Sequence, residues 1–171
     1  MKKSAIFPIL FLLVLLSKGA LFAQEKPQES YKEIGSPLPP FLIVDRDGKS
    51  HTEAEFNKDG TLFLFMFNPT CEHCINMAKM LGAHEEEFGN SNIYFVAVPD
   101  MREQLDFFYE QTGADTFKHI TIGIDSIDVV RKLYNFVLLP QLNIYSKDDR
   151  KLIEVLSGDI ELDTLKSYIG R

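Results

Sequence analysis

The sequence predicts an α/β fold in which helices flank a central mixed β-sheet. Two observations lead to this prediction. Short apolar segments typical of strands alternate with amphipathic segments of helical period along most of the chain. The chain then ends with two strand-like segments, a charged turn between them, and a last helix. Such an ending adds an antiparallel hairpin to alternating strands and helices, which makes the sheet mixed.

The first 23 residues have the composition of an export signal. Lys2 and Lys3 precede an apolar core over residues 5–16, and a segment with small residues ends at Ala23. The core is shorter than the roughly 20 residues that a membrane-spanning helix needs. We therefore expect residues 1–23 to be a signal peptide and the protein to be exported, with a periplasmic location. If the segment stayed uncleaved, it would anchor the chain in the membrane.

The remaining chain is acidic and has the length of one domain. The full sequence carries a net charge of −7, and the leading segment contains lysines but no acidic residues, so its removal makes the chain more acidic. An acidic chain without a basic patch is not expected to bind nucleic acid. Residues 24–34 form a polar lead-in, and residues 35–171 are expected to form the single domain.

The domain is predicted to begin with a β-hairpin. Residues 41–45 are mostly apolar, and Asp47-Gly48 is a typical hairpin turn, so residues 49–51 are expected to return as a second strand. Thr52 would then cap a short helical turn.

Two apolar segments predict strands in the interior of the sheet. Residues 61–67 and 92–98 are mostly aliphatic and aromatic, which is typical of strands buried on both faces. Between them the apolar residues recur at helical spacing and predict an amphipathic helix that begins near Cys71. Its predicted apolar face is Cys74, Met77, Ala78, Leu81 and Phe88.

The second half of the domain continues the alternation. Asp100 and Glu103 have the spacing of a capping box, and Gly113 would end the helix that they begin. An extended segment and another helix follow, and Pro140 then opens a strand of alternating pattern. In chain order these last predicted elements are 120–124, a helix from Asp125, a strand from 141 to 145, a turn over 147–150, a strand over 151–156 and a helix after Gly158.

The two cysteines of the protein, Cys71 and Cys74, form a C-x-x-C motif between the strand 61–67 and the following helix. At a helix N-terminus, free backbone N–H groups and the positive end of the helix dipole stabilise a thiolate. Cys74 lies one turn further along, on the face that is expected to be covered. The motif therefore predicts one exposed, reactive thiol and one shielded thiol.

Other uses of a C-x-x-C motif fit the sequence less well. A zinc site needs four ligands, and no second C-x-x-C or H-x-x-x-H follows. Haem attachment needs a histidine directly after the second cysteine, where Ile75 stands. A structural disulfide within one helical turn closes too short a loop to constrain the unfolded chain. Redox chemistry is the interpretation that the strand-to-helix position favours.

Glu72 and His73, between the cysteines, have opposite electrostatic effects. A protonated His73 would stabilise the Cys71 thiolate and make the couple more oxidising, whereas Glu72 would oppose both effects. The sequence therefore leaves the direction of exchange open between reductase, oxidase and isomerase.

The order of these elements resembles the thioredoxin-like fold. A strand that ends in C-x-x-C on a helix, a β-α unit and an X-Pro that opens a strand-turn-strand-helix tail are features of that fold. The segment Pro39–Lys49 is similar to the lead-in of exported thiol–disulfide oxidoreductases of the TlpA/ResA type. The resemblance covers residues 35–169 and implies a thioredoxin-like sandwich. It also implies that Cys71 attacks, that Cys74 resolves by forming a redox-active Cys71–Cys74 disulfide, and that Pro140 is a cis-proline facing them.

Three features depart from the thioredoxin pattern. Thr70 stands where thioredoxins have a tryptophan, and Phe65 stands where they bury an acid. Glu72-His73 replaces Gly-Pro between the cysteines. The histidine resembles that of DsbA and protein disulfide isomerase, whereas the glutamate resembles that of TlpA/ResA-type reductases.

The sequence thus predicts an exported thiol–disulfide oxidoreductase. Its expected partners are cysteine-containing exported proteins and a membrane or periplasmic redox partner, and no cofactor or metal is expected. A peroxidase on the same fold is disfavoured, because Asn68 and Leu64 stand where the peroxiredoxin pattern has Thr or Ser and Pro. The other alternative is a non-enzymatic metal carrier that uses Cys71, Cys74 and His73.

The remaining polar groups are interpreted as surface groups. His51, His84 and His119 are scattered and fit surface or capping positions. Glu85–Glu87 fits the solvated end of the helix that carries the cysteines.

Overall fold

The computed structural model describes residues 31–171, except 57 and 136. The expected signal peptide, and the lead-in before residue 31, lie outside the described residues. In the part that is described, none of the helices has both the length and the apolar composition to cross a membrane.

A seven-stranded mixed sheet forms the centre of the fold, in the order β2-β1-β5-β4-β3-β6-β7. β3 is parallel to β4 and β4 to β5, whereas the pairs that involve β1, β2, β6 and β7 are antiparallel. The predicted α/β architecture with a mixed sheet is confirmed. The strands are β1 (Ile43–Asp45), β2 (Ser50–His51), β3 (Leu62–Met66), β4 (Asn92–Ala97), β5 (Ile120–Asp125), β6 (Gln141–Tyr145) and β7 (Leu152–Ser157).

Within the described residues, four α-helices and four short 3-10 helices cover the sheet. The α-helices are α1 (Glu72–Ala83), α2 (Leu105–Thr112), α3 (Val130–Leu133) and α4 (Leu162–Lys166). The 3-10 helices are Glu53–Glu55, Glu85–Phe88, Pro99–Gln104 and Ala114–Thr116.

The central strands are buried on both faces, which explains their nearly uninterrupted apolar composition. Every residue of β3 and β4 is buried. Side chains alternate between the two faces of a strand, so Phe63 and Phe65 enter the core beneath α1 and α2, while Leu62 and Leu64 enter the core beneath α3. Phe65 stacks on Phe95 of the neighbouring strand with ring centroids 4.6 Å apart.

The chain before β1 covers part of the edge strand β7. The Gly35 N–H donates to the Leu152 carbonyl (2.7 Å), the Leu152 N–H donates to the Ser36 carbonyl (2.8 Å), and the Leu38 N–H donates to the Arg150 carbonyl (2.9 Å). These bonds satisfy backbone groups that a sheet edge would otherwise expose.

Two predicted helix caps are wrong. Thr52 stands before its 3-10 helix, but its side chain makes no capping hydrogen bond. The predicted capping box of Asp100 and Glu103 does not form, because the segment begins as a 3-10 helix at Pro99. Asp100 instead accepts a hydrogen bond from Arg131 at 2.7 Å. The predicted helix end is correct, since Gly113 terminates α2 in the left-handed conformation (φ 69°) that glycine adopts readily.

The helix predicted to begin at Asp125 begins at Val130 instead. Asp125 is the last residue of β5, and its carboxylate accepts hydrogen bonds from the Ile127 N–H (3.2 Å) and the Val130 N–H (2.6 Å). The Asp125 carboxylate therefore caps α3, although Asp125 lies five residues before the first residue of the helix. Known capping motifs have shorter spacings, so the sequence does not reveal this cap.

Candidate active site

Cys71 and Cys74 lie at the start of α1, directly after the loop that leaves β3. Cys71 is the N-cap residue of the helix and is half-buried, whereas Cys74 lies in the first turn and is completely buried. Both are free thiols. The strand-to-helix position therefore separates the two thiols by exposure, as the spacing predicts.

Asn68 fixes the loop that presents Cys71. Its side-chain oxygen accepts hydrogen bonds from the N–H and the hydroxyl of Thr70, both at 2.9 Å. Its backbone carbonyl accepts a hydrogen bond from the Cys71 N–H at 3.0 Å. Asn68 was not among the predicted site residues, although Asn before Pro is a known signal of turn initiation.

The two thiols also differ in acidity, because Cys74 is removed from water. Burial raises the pKa of the Cys74 thiol far above its ordinary value, and the neighbouring Cys71 raises it further. A hydrogen bond from the Asn68 backbone opposes this effect only in part. Cys74 therefore keeps its proton at neutral pH.

Pro140 lies beside Cys71, as the resemblance implies. The Leu139–Pro140 peptide bond is cis, and the Leu139 carbonyl oxygen lies 4.0 Å from the Cys71 sulfur. The pairing of β3 with β6 places Gln141 opposite Met66, so the start of β6 lies next to the end of β3. This sheet register brings Pro140 to the cysteines although 65 other residues separate Pro140 from Cys74 in sequence.

His73 makes its contact with a residue that was not predicted. Its Nδ1 lies 2.8 Å from the Asp159 carboxylate, and both side chains are largely exposed. Asp159 follows β7, so the contact joins the first turn of α1 to the loop before α4. Glu72 is exposed in the same helical turn. No local pattern could have indicated Asp159, since the pair is 86 residues apart.

Two apolar side chains shortly before Pro140 are exposed. Val137 and Leu138 are 65% and 60% exposed. A cavity of about 140 Å³ has Val98, Met101 and Leu139 among its walls. Tyr134 also lines the cavity, and burial, the largest cause, raises the pKa of its phenol.

Two polar groups that were interpreted as surface groups are buried. His51 lies between two carboxylates, with Nε2 2.9 Å from Asp45 and Nδ1 3.1 Å from Glu55. Glu85 is 8% exposed and accepts hydrogen bonds from the Lys118 N–H and the His119 N–H.

The other two histidines, His84 and His119, are at the surface as expected, each beside a glutamate. Across the described residues, histidine, cysteine and acidic side chains do not gather in threes around a point that could hold a metal ion.

Comparison with curated proteins finds relatives of full length. No protein-family model matches the chain. The thiol-disulfide oxidoreductase ResA of Bacillus thuringiensis is 22% identical over 172 residues, which cover 99% of this chain and 97% of the relative. ResA of Bacillus cereus is also 22% identical, over 174 residues that cover 100% of this chain and 98% of the relative.

Solved structures match the same architecture. A thiol:disulfide interchange protein of the thioredoxin family from Chlorobium tepidum superimposes with a TM-score of 0.62 at 13% identity, covering 80% of this chain and 95% of that one. StoA from Bacillus subtilis superimposes with a TM-score of 0.59 at 15% identity, covering 78% and 98%. This chain has a thioredoxin-like fold.

The thioredoxin-like fold and the full-length similarity to ResA agree with the family resemblance found in the sequence. The predicted enzyme class, a thiol–disulfide oxidoreductase, is confirmed by these relatives.

Proposed function

We propose that this protein is an exported enzyme that exchanges the Cys71–Cys74 dithiol or disulfide with cysteines of other exported proteins or of a membrane or periplasmic redox partner. The arrangement of the two thiols carries the proposal. Cys71 is accessible at the start of α1, Cys74 is buried one turn further along, and the Leu139 carbonyl faces Cys71 at 4.0 Å. The roles of attacking and resolving thiol follow from that difference in access.

In the reducing direction, the Cys71 thiolate attacks one sulfur of a substrate disulfide. A mixed disulfide forms between Cys71 and that sulfur, and the other substrate sulfur leaves as a thiolate that takes up a proton. Cys74 then loses its proton and attacks the Cys71 sulfur. The second substrate thiolate leaves, and the Cys71–Cys74 disulfide forms, so that two electrons have passed to the substrate. Oxidation of a substrate dithiol is the reverse sequence.

Pro140 and the dipeptide between the cysteines complete the proposed site. Pro140 and the Leu139 carbonyl form the surface that a substrate crosses to reach Cys71. His73 and Glu72 modulate the stability of the Cys71 thiolate through their opposite charges. The contact of His73 with Asp159 adds a second carboxylate to this part of the surface.

Export is proposed from the composition of residues 1–23. A location outside the cytosol fits the chemistry, because dithiols there are kept reduced or oxidised by dedicated partners. Removal of the segment at Ala23 would release a chain that begins at Gln24.

Trapping of mixed disulfides tests the roles of the thiols. Cys74→Ser should accumulate covalent complexes with substrate proteins that dithiothreitol releases, because the resolving thiol is missing. Cys71→Ser should trap few or none, because its remaining thiol is buried. Pro140→Thr with both cysteines intact should slow product release. Equal trapping by both cysteine variants, or trapping by Cys71→Ser alone, would exclude this assignment.

A further inference from the structure

The side chain of Gln141, directly after Pro140, is a completely buried amide with three hydrogen bonds. Its oxygen accepts a hydrogen bond from the Asn135 N–H at 2.7 Å. Its nitrogen donates to the Leu133 carbonyl at 3.1 Å and to the Asn143 side-chain oxygen at 2.8 Å. Both amide hydrogens are therefore used. Two of the three partners are backbone groups, one at the last residue of α3 and one two residues after it.

These bonds close the chain segment that faces Cys71 into a loop. Its described residues are 133–135 and 137–139; they begin at the last residue of α3, include the exposed Val137 and Leu138, and end with the Leu139 carbonyl at 4.0 Å from the Cys71 sulfur. Gln141 binds the beginning of the segment and is joined through Pro140 to its end. On the other side, the Gly158 N–H donates to the Pro140 carbonyl at 2.9 Å.

An amide at this position is not needed to fill the core. Burying an amide is unfavourable unless its hydrogen bonds are replaced, and an apolar side chain of similar volume would occupy the same space without that requirement. What the amide adds is a fixed position for the backbone of residues 133 and 135, and through them for the surface beside Cys71.

We propose that Gln141 is a positioning residue for exchange with polypeptide substrates. The inference rests on the proposed function. Gln141 acts through segment 133–139, which it holds so that the Leu139 carbonyl, Val137 and Leu138 face the substrate chain on either side of its cysteine. A small disulfide such as oxidised glutathione reaches Cys71 without this surface, whereas a polypeptide has to cross it.

The test compares the two kinds of substrate in Gln141→Met, which keeps the volume and removes the hydrogen bonds. With dithiothreitol as reductant, we expect kcat/KM for insulin to fall about tenfold, mainly through KM, since misplacement of a binding surface by about 1 Å has effects of this size or larger. The reaction with oxidised glutathione should stay within about twofold of the wild type. Asn143→Leu is the comparison variant, because it removes the hydrogen bond between Gln141 and Asn143 and leaves the bonds of Gln141 to residues 133 and 135 in place. It should keep both activities.

A second pair of variants tests the hydrogen bond between the Asn135 N–H and Gln141 by changing Asn135 instead of the buried Gln141. The result then does not depend on whether Gln141→Met folds. Asn135→Pro removes the N–H that Gln141 binds, whereas Asn135→Ala keeps it. We expect only the proline variant to lose activity with insulin. Full insulin activity in Gln141→Met and Asn135→Pro, or an equal loss with insulin and glutathione, would overturn the inference. A wild-type protein that reacts with neither substrate would overturn the proposed function itself.

Discussion

At the scale of single residues, the burial of Cys74 determines how the site responds to pH. The thiolate is the attacking form of a cysteine, and burial holds the pKa of Cys74 above its ordinary value. Burial, the largest cause, persists when Cys71 is in a mixed disulfide. The thiolate fraction of Cys74 is therefore small at neutral pH and increases as the pH rises toward the raised pKa.

The release of a bound substrate should consequently accelerate with pH. We expect the rate at which a Cys71 mixed disulfide with glutathione resolves to rise by about tenfold per pH unit between pH 6 and pH 8, because the thiolate fraction of a group below its pKa rises in that proportion. The measurement is the release of glutathione from the preformed complex in stopped flow. Cys74→Ser is the control and should show no such phase. A rate that does not change over this range would contradict the role of the raised pKa.

At the scale of the elements, a buried carboxylate connects the end of α1 to the start of β5. Glu85 lies in the 3-10 helix after α1 and accepts hydrogen bonds at 3.1 and 3.0 Å from the Lys118 N–H and at 2.9 Å from the His119 N–H. Lys118 and His119 directly precede β5, which pairs with β4 in the sheet. The bonds to Glu85 therefore hold the segment that leads into this strand. The neighbouring Glu86 is 73% exposed and forms only surface ion pairs.

Glu85→Ala should therefore destabilise the protein by about 1–3 kcal/mol, since it leaves backbone N–H groups of the segment 118–119 without their acceptor. The measurement is urea unfolding followed by circular dichroism. Glu86→Ala is the matched control from the next position, and we expect it to change the free energy of unfolding by less than about 0.5 kcal/mol. If the two substitutions changed the free energy of unfolding equally, the hydrogen bonds of Glu85 would not stabilise the protein more than the surface ion pairs of Glu86 do.

At the scale of the whole molecule, the proposed function requires the folded domain to reach an oxidising or actively reduced compartment. The domain described here begins to pair with the sheet at Gly35, where the Gly35 N–H binds the Leu152 carbonyl. The proposed cleavage after Ala23 would leave these contacts intact.

Protein recovered from the cell envelope is expected to begin at Gln24, because the segment ends in a small residue of the kind that signal peptidase needs. Mass spectrometry of the N-terminal peptide is the direct measurement. Ala23→Leu should retain the segment on a membrane-bound precursor. Detection of Met1 at the N-terminus of the wild-type protein would contradict cleavage and indicate that residues 1–23 remain as a membrane anchor.

The sequence by itself determined most of the elements, because the signals that define them are local. The apolar composition of residues 61–67 and 92–98 predicted β3 and β4, and the position of C-x-x-C after an apolar strand placed Cys71 at a helix start. The turn at Asp47-Gly48 and the helix end at Gly113 were equally recognisable. In each case the residues that interact are within a few positions of one another.

Only the tertiary structure decided which distant residues meet at the site. Antiparallel pairing of β6 with β3 places the Leu139 carbonyl beside Cys71, and the loop after β7 brings Asp159 to His73. The hydrogen bonds of the buried Gln141 amide likewise involve Leu133 from α3 and Asn143 from β6. A local sequence pattern indicates the hydrophobic period and the ends of a single helix or strand. These contacts instead depend on the order and register of the strands, and those are determined by the packing of the whole chain.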